Sequence, residues 1–206
     1  MIKILGKIPE RNFGVACSGG VDSMVALSFC VMGNRKPYVL WFDHGIPEDV
    51  PGFHIVKKYC SNMGLLFLDG KIDTPYKQGL SREEHWRIER YKWLNSFDFP
   101  IITGHHLNDV METWVFSSIH GNPKLIPYET KNIIRPFLMN TKQTLEAWAV
   151  KNGMLWHNDI LNDDISFSRN RIRHNIVPEI LKVNKGFHTT LRNKIRKKYE
   201  NPQTPC

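Results

Sequence analysis

Short apolar runs rich in β-branched and aromatic residues alternate along this chain with longer amphipathic ones. Residues 12–17, 37–42 (PYVLWF), 65–69 (LLFLD) and 100–104 (PIITG) read as strands, and residues 21–32, 48–62, 82–97 and 107–119 as helices. This βαβα rhythm predicts the α/β class: a Rossmann-like, doubly wound parallel sheet with helices on both faces. In such sheets ligands bind beyond the carboxyl ends of the strands. Three predicted strands run directly into the polar turns CSGG, FDHG and TGHH. If those strands are parallel, the turns converge on one crevice, and that convergence is the strongest physical argument for a site.

Past residue 119 the pattern weakens. Segment 120–135 (HGNPKLIPYETKNIIR) is rich in Pro, Gly and Asn and reads as a loop. Residues 141–152 predict a helix, with Thr141 as N-cap and Gly153 as its stop. After the polar stretch NDILNDD a further helix is predicted from about Ser166 to Asn175. The predicted organisation is one catalytic-size domain over residues 1–185, closing in a short helical extension, followed by a basic, partly disordered tail over 186–206.

Charge adds a partner class. Lys and Arg number 28 against 20 acidic residues, a formal net charge of +8. Such a balance suits a polyanion, most often nucleic acid, although a basic globular protein without such a partner remains open. The four cysteines, Cys17, Cys30, Cys60 and Cys206, form no CxxC pair. Zinc and iron–sulfur sites are therefore weakly supported, and a reducing, cytoplasmic compartment fits best. The opening MIKILGKIPERNFG is too short and too interrupted for a signal peptide, and no apolar run approaches a bilayer span.

The chemistry concentrates in the strand-end motifs. In CSGGVDS, Gly19 and Gly20 let the backbone approach a ligand, and the N–H groups through Val21 can cradle phosphate. Ser18 and Ser23 add hydroxyl donors. Asp22 would repel phosphate unless a cation bridges them, which implies a divalent metal. The plainer alternative is a helix start in which Asp22 only complements the dipole. The motif is neither a Walker A loop nor GxGxxG.

Taken with its place at a first strand–helix junction, SGGVDS resembles the PP-loop of the ATP pyrophosphatase family. WFDHG at 41–45, RIERY at 87–91, GHHLNDVMET at 104–113 and RNRIRH at 169–174 follow in that order. Together they resemble the catalytic domain of the tRNA(Ile)-lysidine synthetase family, over roughly residues 12 to 180. The resemblance implies a PP-loop type sheet and a two-step reaction. ATP adenylates the C2 oxygen of the wobble cytidine of an isoleucine tRNA with a CAU anticodon, releasing pyrophosphate. Free L-lysine then displaces AMP to form lysidine, which pairs with A rather than G.

The resemblance also implies roles. Ser18 to Ser23, Asp43 and His44 would bind ATP, with Asp22 holding Mg2+. Arg87 would lie by the reaction centre. Asp109 and Glu112 would recognise lysine, with His105 at the same crevice. Arg90, Arg169, Asn170, Arg173 and His174 would contact tRNA phosphates or AMP. Asp22, Arg87, Asp109 and Glu112 make up the catalytic set. Members of that family are often dimers, a point on which no surface legible in the sequence bears.

Each motif has a plainer reading from its residues. Asp43 and His44 can simply end a strand in a turn at Gly45. The acids after GHH can serve a helix dipole. RIERY can be a solvated helix paired through Glu83, Glu84 and Glu89. HHxxD spacing raises a zinc site of His105, His106 and Asp109, but adjacent histidines at a strand end point to opposite faces. The chain also departs from the family pattern. Asn108 stands where a first aspartate is usual, Trp86 where an alanine is usual, and Asp159-Ile160-Leu161-Asn162 replaces DPSN. The usual C-terminal domains are absent from the sequence, and the basic tail is the one substitute for phosphate affinity. Two other functions stay open: a PP-loop thiolase, disfavoured by the lack of paired cysteines, and a non-catalytic ATP- or tRNA-binding module.

Overall fold

The computed structural model describes residues 1–76, 79–158, 165 and 167–199. Its centre is a six-stranded sheet in the order β3-β2-β1-β4-β6-β5. β1 (Gly14–Ala16), β2 (Tyr38–Asp43), β3 (Phe67–Lys71), β4 (Ile101–Ile102) and β6 (Ile133–Ile134) are parallel; β5 (Glu129–Thr130) pairs antiparallel with β6. β1 is the hinge of the topology. The chain leaves it towards β2 and β3, then returns to place β4 on its other side. The carboxyl ends of β1 and β4 therefore flank a switch point, where such sheets open a crevice.

Side-chain alternation divides the core. Val39 and Trp41 face one side with Val15 and Ile102, against α1 (Val21–Met32), α2 (Asp49–Met63) and α5 (Lys142–Lys151). Leu40, Ile101 and Ile133 face the other side, against Leu94 of α3 (Arg82–Leu94). The two-residue period of a strand makes both faces apolar, as a sheet covered on both sides requires. Thr141 caps α5 by accepting from the Thr144 N–H at 3.2 Å, and Gly153 takes the left-handed conformation just past its end. These ends match the sequence expectation.

Two segments differ from it. The stretch 120–135 contains the β5–β6 hairpin, because Ile133 and Ile134 pair with Ile101 and Ile102 and are buried. Two-residue strands are too short to show a period. The second difference corrects the basic tail. Residues Phe187–Tyr199 form α8, whose Leu191 and Ile195 are completely buried against α4 (Leu107–Ile119). The apolar pair at i and i+4 seats this helix with Phe187 and Tyr199 beside it, and Arg192 donates inward to the Met139 carbonyl, while Lys194, Arg196, Lys197 and Lys198 lie on the outside. The helix predicted at Ser166 to Asn175 is α6 (Ser168–Arg171) followed by a π-helical turn, Ile172–Ile176, and then α7 (Val177–Val183). Pro178 near the start of α7 has no N–H to offer the carbonyl one turn back, and the widened turn lies just ahead of it. Asp159 to Asn162, Cys206 and most of NDILNDD lie outside the described residues.

Candidate functional site

A cleft of about 440 Å³ opens at the carboxyl ends of β1, β2 and β4. CSGGVDS forms its floor. Gly19 adopts φ +84°, and a Cβ there would come within 2.6 Å of the Gly52 Cα. Gly52 has the reciprocal constraint, since its Cβ would meet the Ser18 carbonyl oxygen at 2.5 Å. The first turn of α2 thus lies directly on the loop, and two glycines make that approach possible. Ser23 holds the loop from within. Its hydroxyl donates to the Gly20 carbonyl at 2.9 Å and accepts from the Ser18 N–H at 3.1 Å. Ser18, Gly20, Asp22 and Ser23 line the cleft; Gly19 and Val21 are buried beneath it.

β4 ends against the same helix start. A Cβ on Gly104 would meet the backbone of Asp22 at 2.7 Å, so this glycine brings the two strand ends together. His105 and His106 then turn apart, as alternation requires. His105 lines the cleft with its Nδ1 2.8 Å from the Thr103 hydroxyl, and burial, with the charges of Arg135, Arg90 and Arg87, lowers its pKa to about 3 against the opposing pull of Asp109. His106, 3% exposed, turns inward between two carboxylates. Its Nε2 is 3.3 Å from Asp22 Oδ2 and its Nδ1 3.3 Å from Asp109 Oδ2. Burial opposes its charge, but Asp109 and Asp22 outweigh it and raise the pKa to about 9. A neutral and a cationic imidazole therefore sit side by side. Among the described residues no three His, Cys, Asp or Glu side chains gather as metal ligands, and His105 and His106 do not converge as the zinc spacing would need.

Asp109 also accepts from the His106 backbone N–H at 2.8 Å, so it caps α4 as well as pairing with the ring. Burial pushes its carboxyl up, and the charge of His106 more than reverses this. Glu112 is placed differently from Asp109. It does not line the cleft; it is 4% exposed and held by both arms of Arg173, Nε to Oε1 at 2.6 Å and Nη2 to Oε2 at 3.0 Å. Burial raises the Glu112 carboxyl, and the guanidinium fork favours its charged form. Asn108 turns away from both acids, its side-chain oxygen accepting from the Lys142 N–H at 3.0 Å.

The roof comes from α3 and α6. Arg87 and Arg90 line the cleft and pack their guanidinium groups over Tyr91, at 5.3 and 5.8 Å. Desolvation and neighbouring positive charges lower both pKa values. The salt-bridged alternative for RIERY does not hold. Glu83 faces Arg169 at 3.8 Å and Glu89 faces Lys92 at 3.6 Å, so neither neutralises Arg87 or Arg90. Arg169 and Asn170 line the cleft, whereas Arg173 and His174 do not. Asp43 lies outside as well, its carboxylate accepting from the Gly45 N–H at 2.7 Å in a strand-end turn. His44 faces the cleft, its Nδ1 and backbone N–H both against Asp49 Oδ2, at 3.0 and 2.8 Å.

His106, Asp49, Gly52 and Gly104 were not assigned as site residues from the sequence. Asp49 was legible as a first-turn acid of α2, but its partner is set by the β2–α2 turn. His106 was visible only as the neighbour of His105 and as a disfavoured zinc ligand.

These positions carry a pH signature. A histidine whose folded pKa is raised adds stability that is complete below its unfolded value, near 6.5, and is lost as pH rises through the folded value. His106→Gln should therefore lower the melting temperature more at pH 6 than at pH 10. Equal losses at both values would show that His106 is uncharged in the folded chain.

Residues 1–180 match the PP-loop domain. The chain belongs to the PP-loop family. Among curated proteins, the tRNA(Ile)-lysidine synthase of Buchnera aphidicola from Acyrthosiphon pisum is 32% identical over 93% of this chain and 48% of its own length. That of Persephonella marina is 32% identical over 86% of the chain and 43% of its own length. This PP-loop chain spans about half the length of the curated relatives it matches. Among solved structures, NMN synthetase from Francisella tularensis shares the fold, with a TM-score of 0.55, 13% identity, and coverage of 96% of this chain and 90% of that one. NH3-dependent NAD synthetase from Campylobacter jejuni has a TM-score of 0.53 at 12% identity, over 97% and 90%.

Proposed function

We propose that this PP-loop chain carries out lysidine synthesis on the wobble cytidine of an isoleucine tRNA with a CAU anticodon, using ATP and free L-lysine. The observation that carries the proposal is the bridge Asp22–His106–Asp109. It joins the SGGVDS loop to Asp109 within one cleft, beneath Arg87 and Arg90. A reaction that consumes ATP in one half and an amine in the other requires that juxtaposition. The lysidine synthase relatives support the choice of substrates.

In this reading the loop N–H groups and Ser18 bind the ATP phosphates. Asp22 is fitted to hold Mg2+, because its Oδ1 is buried with no hydrogen-bond partner among the described residues. One protein carboxylate plus phosphate oxygens is a usual donor set for that ion, which would neutralise phosphate charge. Arg87 and Arg90 face the phosphates from α3 and stabilise the charge that develops as cytidine O2 bonds to the α-phosphorus and pyrophosphate leaves. Asp109 attracts the lysine ammonium. The amine then bonds to C2, the C2–O bond breaks with its electrons going to AMP, and a proton is released. Glu112 acts from behind through Arg173, and contacts lysine directly only if that guanidinium moves.

Free lysine, tRNA and, among the described residues, the unpaired Cys17, Cys30 and Cys60 suit the cytoplasm. Among the described residues no helix is long and apolar enough to cross a membrane. A thiolase needs an accessible thiolate. Cys17, Cys30 and Cys60 are buried, and burial raises their pKa values to about 11, 12 and 12.

For RNA affinity the outer face of α8 takes the place of the flexible tail expected from the sequence. Deleting residues 186–206 would remove buried Leu191 and Ile195, so charge reversal is the cleaner test. Lys194→Glu with Lys197→Glu and Lys198→Glu should weaken tRNA binding and flatten its salt dependence, by about one unit of log–log slope for each phosphate no longer neutralised. An unchanged slope in filter binding would remove α8 from the RNA interface.

The deciding assay is lysine transfer. Protein, ATP, Mg2+, labelled lysine and unmodified isoleucine tRNA bearing CAU are mixed, and the RNA is washed in mild alkali. Alkali-resistant label with matching AMP is the expected result. AMP without label would point to another acceptor, and neither product would refute the proposal.

A further inference from the structure

The cleft has two unlike ends. Around β1 and β4 it is polar and charged; beside β2 it is aromatic. Trp93, Phe42, His44 and Trp86 form a run of rings there, with centroids 5.6, 5.4 and 5.5 Å apart. Most of this run has a settled structural task. Phe42 is buried, and His44 is fixed in orientation by Asp49. Trp86 has no such task. It is half-buried and lines the cleft. Its one cationic neighbour is the exposed Arg82, 5.8 Å from the ring. Trp41, by contrast, is 3% exposed in the core.

We propose that Trp86, with His44 beside it, is a stacking wall for a nucleobase, which makes it a positioning residue for the nucleotide whose phosphates lie on CSGGVDS. The proposal rests on the nucleotide reading above. A flat π-face beside a phosphate cradle matches a nucleotide at both ends. Stacking needs no base-specific hydrogen bond, so the geometry accepts either the adenine of ATP or the target cytosine of the RNA. Trp86, from the second turn of α3, meets His44 at the end of β2, whereas Trp93 further along α3 packs on buried Phe42; Arg87, next to Trp86, faces the same cleft.

The test compares three probes on the full chain: Mg-tripolyphosphate, which has no base, Mg-ATP, and an anticodon stem-loop RNA. Trp86→Ala should weaken ATP binding about tenfold, the effect of losing roughly 1.4 kcal/mol of stacking, and leave tripolyphosphate binding unchanged. Trp86→Phe should recover most of the loss. The same pattern for the stem-loop, with ATP unaffected, would assign the wall to the target cytosine and equally support stacking. Equal weakening of tripolyphosphate and ATP would show a merely structural tryptophan and overturn the proposal, as would unchanged affinity for both ATP and RNA. Wild-type protein that binds neither ATP nor RNA would instead refute the nucleotide reading itself.

Discussion

Asp22→Asn should abolish AMP formation, by roughly a thousandfold or more, while tRNA affinity stays within about a factor of two. The substitution keeps the shape of the side chain and removes its charge. Two dependencies fail together. In the proposed reading Oδ1 can no longer hold a cation at the phosphates, and the ring of His106 loses one of its counter-charges. RNA affinity is spared if, as proposed, phosphate attraction comes from the arginines and from α8 and not from the acid. AMP release from labelled ATP and filter binding of tRNA measure the two effects separately. Retained AMP formation would return Asp22 to the plainer role of an acid complementing the first turn of α1.

Glu112→Ala should cost about 1.5–3 kcal/mol of stability, since it removes the bidentate partner of a partly buried guanidinium that keeps Asp109, at 4.0 Å, as a nearby carboxylate among the described residues. In a domain of this size that lowers the melting temperature by about 6 °C. Replacing both members, Glu112→Leu with Arg173→Met, should restore much of the loss, because an apolar pair of similar volume carries no desolvation penalty. It should not restore lysine transfer. Melting curves alongside a lysine titration separate the two outcomes. A double variant that transfers lysine with unchanged KM would make this ion pair purely structural and leave Asp109 as the sole acid at the lysine.

The Glu112 case shows where sequence spacing stops. Asp109 and Glu112 lie three apart, and helical geometry correctly puts them on neighbouring positions of α4. Spacing cannot say that Arg173, 61 residues later, turns one of them away from the cleft. Likewise, the two histidines of GHH were legible as a strand end with opposed side chains. Their opposite protonation states were not, because His106 is charged only through Asp22 on a different helix and Asp109 on its own.

The hydrophobic pattern by itself determined the βαβα order, the positions of five helices within a few residues, the α5 cap at Thr141, and the three polar strand ends that meet in the cleft. These are local consequences of side-chain period, capping chemistry and strand direction. Only the tertiary structure decided that β4 lies beside β1, that Gly52 presses on Gly19, that residues 187–199 fold as a packed helix, and that Trp86 lines the cleft beside His44. Each of those depends on packing between residues distant in the chain. Burial, charge pairing and steric fit act on what is near in space, and linear spacing carries no record of it.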